Sequence, residues 1–410
     1  MMFVGVDVSK RDHCLGAIDA QGQVVLKPVR FTQDAAGFAR LATWLRSLGD
    51  PSQVTVGFEA TGHYWVLLAQ EVRRLGYAPQ VFNPILSSDA GRTSVRGRKT
   101  DEDDCLSIAK VLRDGGFNAV RLPDEQAGRL KQLCRHRQSS VARTANLKKR
   151  LIGLLDLVFP EFAGLFSEPH GRTARAVLMK APSARLLVAM TTQQLSRLVR
   201  KTSHGRLGVE RVKVVLTAAR ASIAATRCDL ASELAIRHTI QEIDLLEEQV
   251  AVYDAEIAAI PVAGRDLLST IPGIGVVLAA VILAEIGSID AFRRIPNDPR
   301  PSDALHRLLA FAGLDPRIRS SGQWTGKVRM SKRGSRTLRT ALYRAAFIAR
   351  TDPAFKDCYD HHKKTMKQPG KVVLSHVARK VLQAVYGVLR YQTPFDPIAF
   401  KHGTKKQRAA

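Results

Sequence analysis

The sequence predicts an α/β domain built on a mixed sheet, followed by an all-helical remainder, and three observations predict it. Short β-type runs alternate with helical patterns over the first hundred or so residues, strand signals fade from about Asp124, and apolar residues then recur at three-and-four spacing over several turns. The chain's 410 residues exceed the usual size of one hydrophobic core, so two or three domains are expected.

The runs FVGVDVS, HCLGAID and VVLKPVRF, parted by polar breaks such as Gln21-Gly22, read as a three-strand meander. Phe38, Leu41, Leu45 and Leu48 then mark one face of a helix that stops at Gly49. A strand VTVGFEA, a helix from about Tyr64 to Leu75, a strand in PQVFNP and a helix starting at Asp101 complete the order βββαβαβα. That order is the layout of an RNase H-like mixed sheet flanked by helices, assigned to residues 1–122. Residues 123–260 read as helical. Ile236, Ile240, Ile243, Leu246, Val250, Tyr253 and Ile257, flanked by Arg237, Glu247 and Glu248, suit a coiled-coil seam, either inside the chain or between protomers. Residues 261–396 form a compact helical module that opens with LLSTIPGIGVVLAAVILAEIG and closes with VVLSHVARKVLQAVYGVL. A basic tail, 397–410, is expected to be loose.

Hydrophobic residues make up 45% and charged residues 24%, which excludes a disordered chain. Lys and Arg total 63 against 37 Asp and Glu, a net charge of +26 that points to a polyanionic partner such as DNA or RNA. The longest apolar run, Ile271 to Ala284, is broken by Pro and Gly and falls short of the ~20 residues a spanning helix needs, so it reads as core and no membrane is expected. The opening MMFVGVDVSK does not have the layout of a secretory signal, and a cytoplasmic location is expected. Five cysteines, odd in number and without a CxxC pair, are expected to be reduced and structural.

The chemistry-bearing residues are acids in unfavourable places. Asp7 lies in an apolar strand among Val4, Val6 and Val8, and Glu59 ends the fourth strand in the same manner, although an unpaired carboxylate is costly to bury there. In an RNase H-like sheet the first and fourth strands are neighbours, which brings the two acids together. Asp101 and Asp104, three apart at a helix start, share a face and complete a set of four. Four hard oxygen donors suit Mg²⁺, with Mn²⁺ as a substitute, and two such ions about 3.5–4 Å apart can serve phosphodiester chemistry. Acids at a helix start also cap it and suit its dipole, an adequate account of Asp101 to Asp104 alone but not of Asp7 or Glu59.

VGVDVSK, FEATGHYW around Glu59, VFNP at Val81 to Pro84 and GRKTDEDD leading to Asp104 resemble, in the same order, the N-terminal blocks of the DEDD transposases of the IS110 insertion-sequence family, also described as bridge-RNA-guided recombinases. IPGIGVVLAA and LLAFAGLDPRIRSSGQWTGKVRMSKRGSRTLRTAL are similar to that family's second domain, so the likeness runs nearly end to end; Cys105 departs from the family's usual small residue. The resemblance implies a RuvC-like first domain whose four acids bind Mg²⁺, and a serine nucleophile in the second domain that forms a covalent phosphoserine link to DNA. It places that serine at Ser321, directly before Gly in SSG, with Ser320 and Ser331 as alternatives. Without the family, serines beside Gly and basic residues are more often a polar loop. It further implies donor and target double-stranded DNA, a structured noncoding guide RNA, a homodimer or homotetramer in which the two parts of the site meet across protomers, and association with the bacterial nucleoid.

Several features suit a grip on nucleic acid. Gly273 and Gly275 in Pro-Gly-Ile-Gly resemble a helix-hairpin-helix turn, in which backbone N–H groups approach a phosphate, although a tight turn opening a buried helix fits equally. Arg92, Arg96, Arg98 and Lys99 precede the acidic helix; Arg143, Lys148, Lys149 and Arg150 stud the first long helix; Lys332, Arg333, Arg336 and Arg339 follow the serine loop. At 6%, aromatic residues are too few for base stacking to dominate. Two other readings explain part of this pattern: a RuvC-like structure-specific nuclease that uses water, and a nonenzymatic nucleic-acid scaffold.

Overall fold

Apolar alternation makes the strands of the first part: β1 (Met2–Asp7), β2 (Asp12–Ile18), β3 (Val24–Thr32), β4 (Val54–Glu59) and β5 (Ala78–Phe82). The computed structural model describes residues 1–59, 62–82, 101–115, 125–292, 301–317, 320–321, 324–325 and 329–406, which divide into two units, Met1–Pro123 and Asp124–Ala410. In the first unit the five strands form one sheet in the order β3-β2-β1-β4-β5. The β1–β2 and β2–β3 pairs are antiparallel, and β4 runs parallel to both β1 and β5, so the expected mixed sheet is present.

The two faces of this sheet differ in how helices can reach them. Val4 and Val6, with Leu15, Ala17, Val56 and Phe58 beside them, meet Leu41 and Leu45 of α1 (Ala35–Leu48) and Leu68 and Val72 of α2 (Trp65–Arg74) in one buried cluster. Asp34 caps α1 by accepting from the Gly37 amide at 2.7 Å. The opposite face carries α3 (Asp101–Asp114). There Gly16, Gly5 and Gly57 lie side by side across β2, β1 and β4. A Cβ on Gly5 would stand 2.0 Å from the Cys105 carbonyl oxygen, and one on Gly57 would stand 2.5 Å from the Leu112 side chain. The glycine row is thus a trough in which α3 lies, with Phe3, Phe82, Ile108 and Leu112 sealing it.

The second unit contains α4 (Glu125–Val158), α5 (Arg172–Lys180), α6 (Ala184–Val188), α7 (Thr192–Thr202), α8 (Val209–Ala221), α9 (Leu230–Ala259), α10 (Arg265–Ser269), α11 (Val276–Ile286), α12 (Pro301–Phe311), α13 (Arg336–Ala349), α14 (Pro353–Asp360), α15 (Gly370–Tyr391) and α16 (Pro397–Lys406). Four two-residue strands, β6 (Pro316–Arg317), β7 (Ser320–Ser321), β8 (Trp324–Thr325) and β9 (Arg329–Met330), lie between α12 and α13. The long helices α4 and α9 pair antiparallel within the chain: Arg129 meets Glu256 at 3.0 Å, Arg137 meets Asp254, and Lys148 meets Glu247 at 2.8 Å. Ile236, Ile240, Ile243, Leu246 and Ile257 are buried in this pairing, as their spacing requires.

Two cores form along that pair. Leu151, Leu155 and Ile240 pack with α5 to α8, while Leu130, Cys134 and Ile257 join α10 to α15. The apolar run beginning at Ile271 is core, since Ala279 to Ile286 are all buried. Helix α15 is long and apolar enough to cross a membrane, yet most of it is buried inside the second unit. The tail corrects an expectation. Pro397–Lys406 is helical rather than loose, because the Phe400 ring stands 5.5 Å from Phe355 and 5.4 Å from Phe395 and docks the helix. None of the five cysteines is in a disulfide, and Cys14, Cys105 and Cys134 are buried.

If close approach of α3 requires the trough, Gly5→Ala should lower stability by about 1–3 kcal/mol through overpacking. Gly153→Ala, in a helix where a new Cβ meets nothing within 4 Å, should raise it by about 0.5–1 kcal/mol. Chemical denaturation of the two variants checks both signs; an unchanged midpoint for Gly5→Ala would show that α3 yields freely.

Candidate active site

Strand alternation decides where the acids point. Val4 and Val6 face the α1–α2 core, so Asp7, in phase with Phe3 and Gly5, belongs to the α3 face of the sheet. Glu59 is in phase with Gly57 on the same face, and the parallel register that aligns Val6 with Phe58 puts Asp7 and Glu59 at neighbouring strand ends. Both are half-buried, as is Asp104 in the first turn of α3. Cys105 follows Asp104, and its carbonyl lies over Gly5, which places the start of α3 beside the end of β1. The Cys105 thiol stands 3.6 Å from that of Cys14, the residue paired with Asp7 across β1 and β2. Burial first, then Cys14, and the negative charge of Asp7 as well push the Cys105 thiol above its ordinary range. Asp7 is therefore within electrostatic reach of the first turn of α3.

Three of the four expected acids thus share one end of one sheet face with the start of one helix. Asp101 opens that helix, and the description of it stops at the backbone. Among the described residues no three His, Cys, Asp or Glu side chains converge closely enough to hold a metal ion together. The fit of the site to a hard cation therefore rests on donor chemistry and placement, since carboxylate oxygens on a half-buried surface are what Mg²⁺ takes.

The serine region is built differently. Ser320 and Ser321 form β7, paired antiparallel with β8 so that Ser321 faces Trp324; their description stops at the backbone. The hydroxyl of Ser331 donates to the Asp315 carboxylate, and its backbone N–H donates to the Asp315 carbonyl at 2.9 Å. Ser331 is thereby committed to joining β9 to the end of α12. Gly313 and Gly334 let these segments close up: a Cβ on Gly334 would lie 2.2 Å from the Phe311 carbonyl oxygen, at a φ of +104° that only Gly adopts readily. Next to this loop Ser335 caps α13, accepting from the Leu338 amide at 3.1 Å, and donates to Glu285 at 2.8 Å. Glu285 is almost fully buried and accepts two hydrogen bonds from Arg135, at 2.7 and 3.1 Å.

Comparison with known proteins finds matches in both units of the chain. A model of DEDD transposases of the IS110 group, described as "Transposase", matches residues 4–160, and one described as "Transposase IS116/IS110/IS902 family" matches residues 265–360. The chain belongs to the IS110 family of transposases. Transposases of this kind cleave and join DNA. Among relatives, the IS900 uncharacterized 42 kDa protein of Mycobacterium paratuberculosis is 27% identical over 97% of both chains. The putative transposase of the IS117 mini-circle of Streptomyces coelicolor is 27% identical over 78% of each. The pilin gene-inverting protein of Moraxella bovis is 24% identical over 96% of this chain and 97% of its own.

For a transposase of this family, the expected nucleic-acid contacts divide by setting. Arg92, Arg96, Arg98 and Lys99 lie outside the described residues. Lys149 and Arg150 are exposed on α4, whereas Lys148 is engaged by Glu247 in the helix pair. Lys332, Arg333 and Arg336 are exposed beside the serine loop. Gly275 is exposed and opens α11 without a side-chain cap. Gly273, at φ +86°, is pressed against α13, where a Cβ would lie 2.4 Å from the Ala345 carbonyl oxygen. Sequence reasoning missed the glycine trough, although each central strand shows its signal, a Gly set between apolar neighbours in VGV, LGA and VGF. It also missed the Arg135–Glu285–Ser335 network, for which one acid at the end of an apolar run was the only trace.

Burial alone would raise the Glu285 carboxyl, but hydrogen bonds from Arg135 and Ser335 and the charges of Lys131 and Arg135 outweigh it and hold the group below its ordinary value of 4.5. A lowered acid contributes stability that is fully present above about pH 4.5 and is lost as pH falls through the folded value. The melting-temperature gap between wild type and Glu285→Gln should therefore be widest near neutrality and narrow below about pH 4.5. A gap independent of pH would mean that Glu285 is not held as an anion.

Proposed function

We propose that this transposase cuts and rejoins DNA with Ser321 as nucleophile and with Asp7, Glu59, Asp101 and Asp104 as the carboxylates of a Mg²⁺ site that also accepts Mn²⁺. The observation that carries the proposal is the gathering of Asp7, Glu59 and the first turn of α3 at one end of one sheet face, with both strand acids set among apolar neighbours. When bound, Mg²⁺ would supply charge neutralisation at a phosphodiester. The acids of β1, β4 and α3 would hold it, and their fixed backbone positions would orient it.

Ser321 is favoured over Ser331, whose hydroxyl Asp315 already uses, and over Ser320 because it directly precedes Gly in the family-like SSG. In the step proposed, the Ser321 Oγ attacks phosphorus: the Oγ–P bond forms as the P–O3′ bond breaks, the hydroxyl proton leaves, and the departing oxygen ends as a 3′-hydroxyl. Attack by another 3′-hydroxyl reverses the step and releases the serine, so bond energy is conserved for rejoining. Lys332, Arg333 and Arg336, exposed beside the loop, are the proposed phosphate contacts there, with Lys149 and Arg150 on α4, and with Lys148 once it leaves Glu247.

Arg96, Arg98 and Lys99 are proposed contacts of the same kind ahead of α3, and Gly275 offers backbone N–H groups at the start of α11, with Gly273 shaping the turn as in a helix-hairpin-helix. A structured guide RNA would then select donor and target double-stranded DNA, and a homodimer or homotetramer would assemble the reaction at the nucleoid. The division at 122, 260 and 396 into three folded parts and a basic tail belongs to the same reading.

The test is a strand-transfer assay on supercoiled DNA with Mg²⁺ and the co-expressed flanking RNA, scored for covalent protein–DNA adducts. Wild type, Ser320→Ala and Ser331→Ala should form the adduct and Ser321→Ala should not. Cleavage without an adduct in any of them would overturn the serine mechanism and leave a metal nuclease that uses water.

A further inference from the structure

In the second unit an open groove of about 540 Å³ is bordered by Leu278 of α11, Tyr343, Arg344 and Phe347 of α13, Leu374 of α15 and Arg137 of α4. Its apolar surface is conspicuously uncovered, since Phe347 is 55% and Ile348 60% exposed. Its charge is one-signed. No acid lines it, and Arg137 is already engaged by Asp254. Arg344 is different: among the described residues no carboxylate pairs with it, and burial, then the positive charge of Arg137, push its guanidinium below the ordinary value. An exposed cation on the groove wall beside another cation favours an anionic partner.

The aromatic content of the groove narrows the kind of anion. The Arg350 guanidinium lies 3.7 Å from the centre of the Phe347 ring and also donates to the Phe347 carbonyl, so this exposed ring is held in place. Tyr343 is fixed by its hydroxyl, which lies 3.8 Å from the Met330 sulfur. A fixed aromatic face with an unmatched cation beside it suits a base and its phosphate together. In a duplex the base faces are stacked and closed to such a ring, whereas an unpaired nucleotide offers both.

We propose that this groove takes an unpaired nucleotide of the DNA strand being exchanged, its base against Phe347 and Tyr343 and its phosphate beside Arg344. The proposal rests on the reading that this transposase breaks and rejoins DNA strands, which frees bases from pairing. It assigns stacking to one local site on a surface whose grip is otherwise electrostatic, in keeping with the low aromatic content.

The test uses the full-length protein and a 12-nucleotide single-stranded DNA carrying 2-aminopurine, with its blunt duplex and the RNA of the same sequence as comparisons. Wild type should quench the 2-aminopurine on binding. Phe347→Leu should abolish most of that quenching, and Arg344→Gln should weaken single-strand binding by about tenfold, the scale of one lost stacking or phosphate contact. Duplex affinity should stay within about twofold. Unchanged single-strand binding and quenching in both variants would overturn the proposal, as would equal losses on duplex or a loss confined to RNA. Dissociation of an oligomer by Phe347→Leu, seen by light scattering with DNA binding intact, would instead identify the groove as a protein interface. The assay involves no strand cleavage, so it can fail while Ser321 adducts form, and it can succeed while they do not.

Discussion

The depth to which α3 sinks onto the central sheet is the constraint on which the proposed acidic site depends. A helix on a sheet of larger side chains would ride higher, and its first-turn acids would move away from the ends of β1 and β4. The row Gly16, Gly5 and Gly57 removes that spacing where it matters, and the Cys105 carbonyl, two residues along β1 from Asp7 by its contact with Gly5, marks how low the helix lies. Small residues there act through geometry: they carry no reactive group, yet they set how close the first turn of α3 lies to the strand ends. The buried Cys14–Cys105 contact closes the same junction from β2.

The second unit solves a related problem with helices. The α4–α9 pair is too long for one core, so one end is covered by α5 to α8 and the other by α10 to α15. Its ion pairs Arg129–Glu256 and Lys148–Glu247 keep the register on partly exposed surfaces, where each is worth little in stability but discriminates between alignments. Glu285, on the core helix α11, reaches both α4 through Arg135 and α13 through Ser335. The segment that follows the serine loop is thereby tied to a buried core helix of the unit.

Much of this was legible because it follows from periodicity. The βββαβαβα order, the α1 face of Leu41 and Leu45 and the α9 seam of Ile236 to Ile257 are all consequences of spacings two, three and four. Asp7 and Glu59 stood out because apolar strands penalise charge, and the parallel β1–β4 register then makes them neighbours. What was not legible depends on contacts between distant segments. Nothing local in GLDP and MSKRG announces that Asp315 and Ser331 bond, and four strands of two residues each are too short to leave a pattern. The docking of α16 hangs on Phe395 and Phe400 finding Phe355, which a basic composition concealed. The role of Gly273 was ambiguous in sequence between a phosphate turn and a tight packing turn, and its contact with Ala345 supports the packing component.

A single shared cation site is tested most directly by titrating Mn²⁺ into the full-length protein by calorimetry, beside Asp7→Asn, Glu59→Gln, Asp101→Asn and Asp104→Asn. Each substitution removes one anionic donor and leaves the shape of the side chain nearly unchanged. Weaker binding in all four variants is the expected result, with melting temperatures unchanged or raised by relief of like-charge repulsion. Wild-type affinity in the Asp7 and Glu59 variants would contradict a common site and return the acids at the start of α3 to the simpler role of capping their helix.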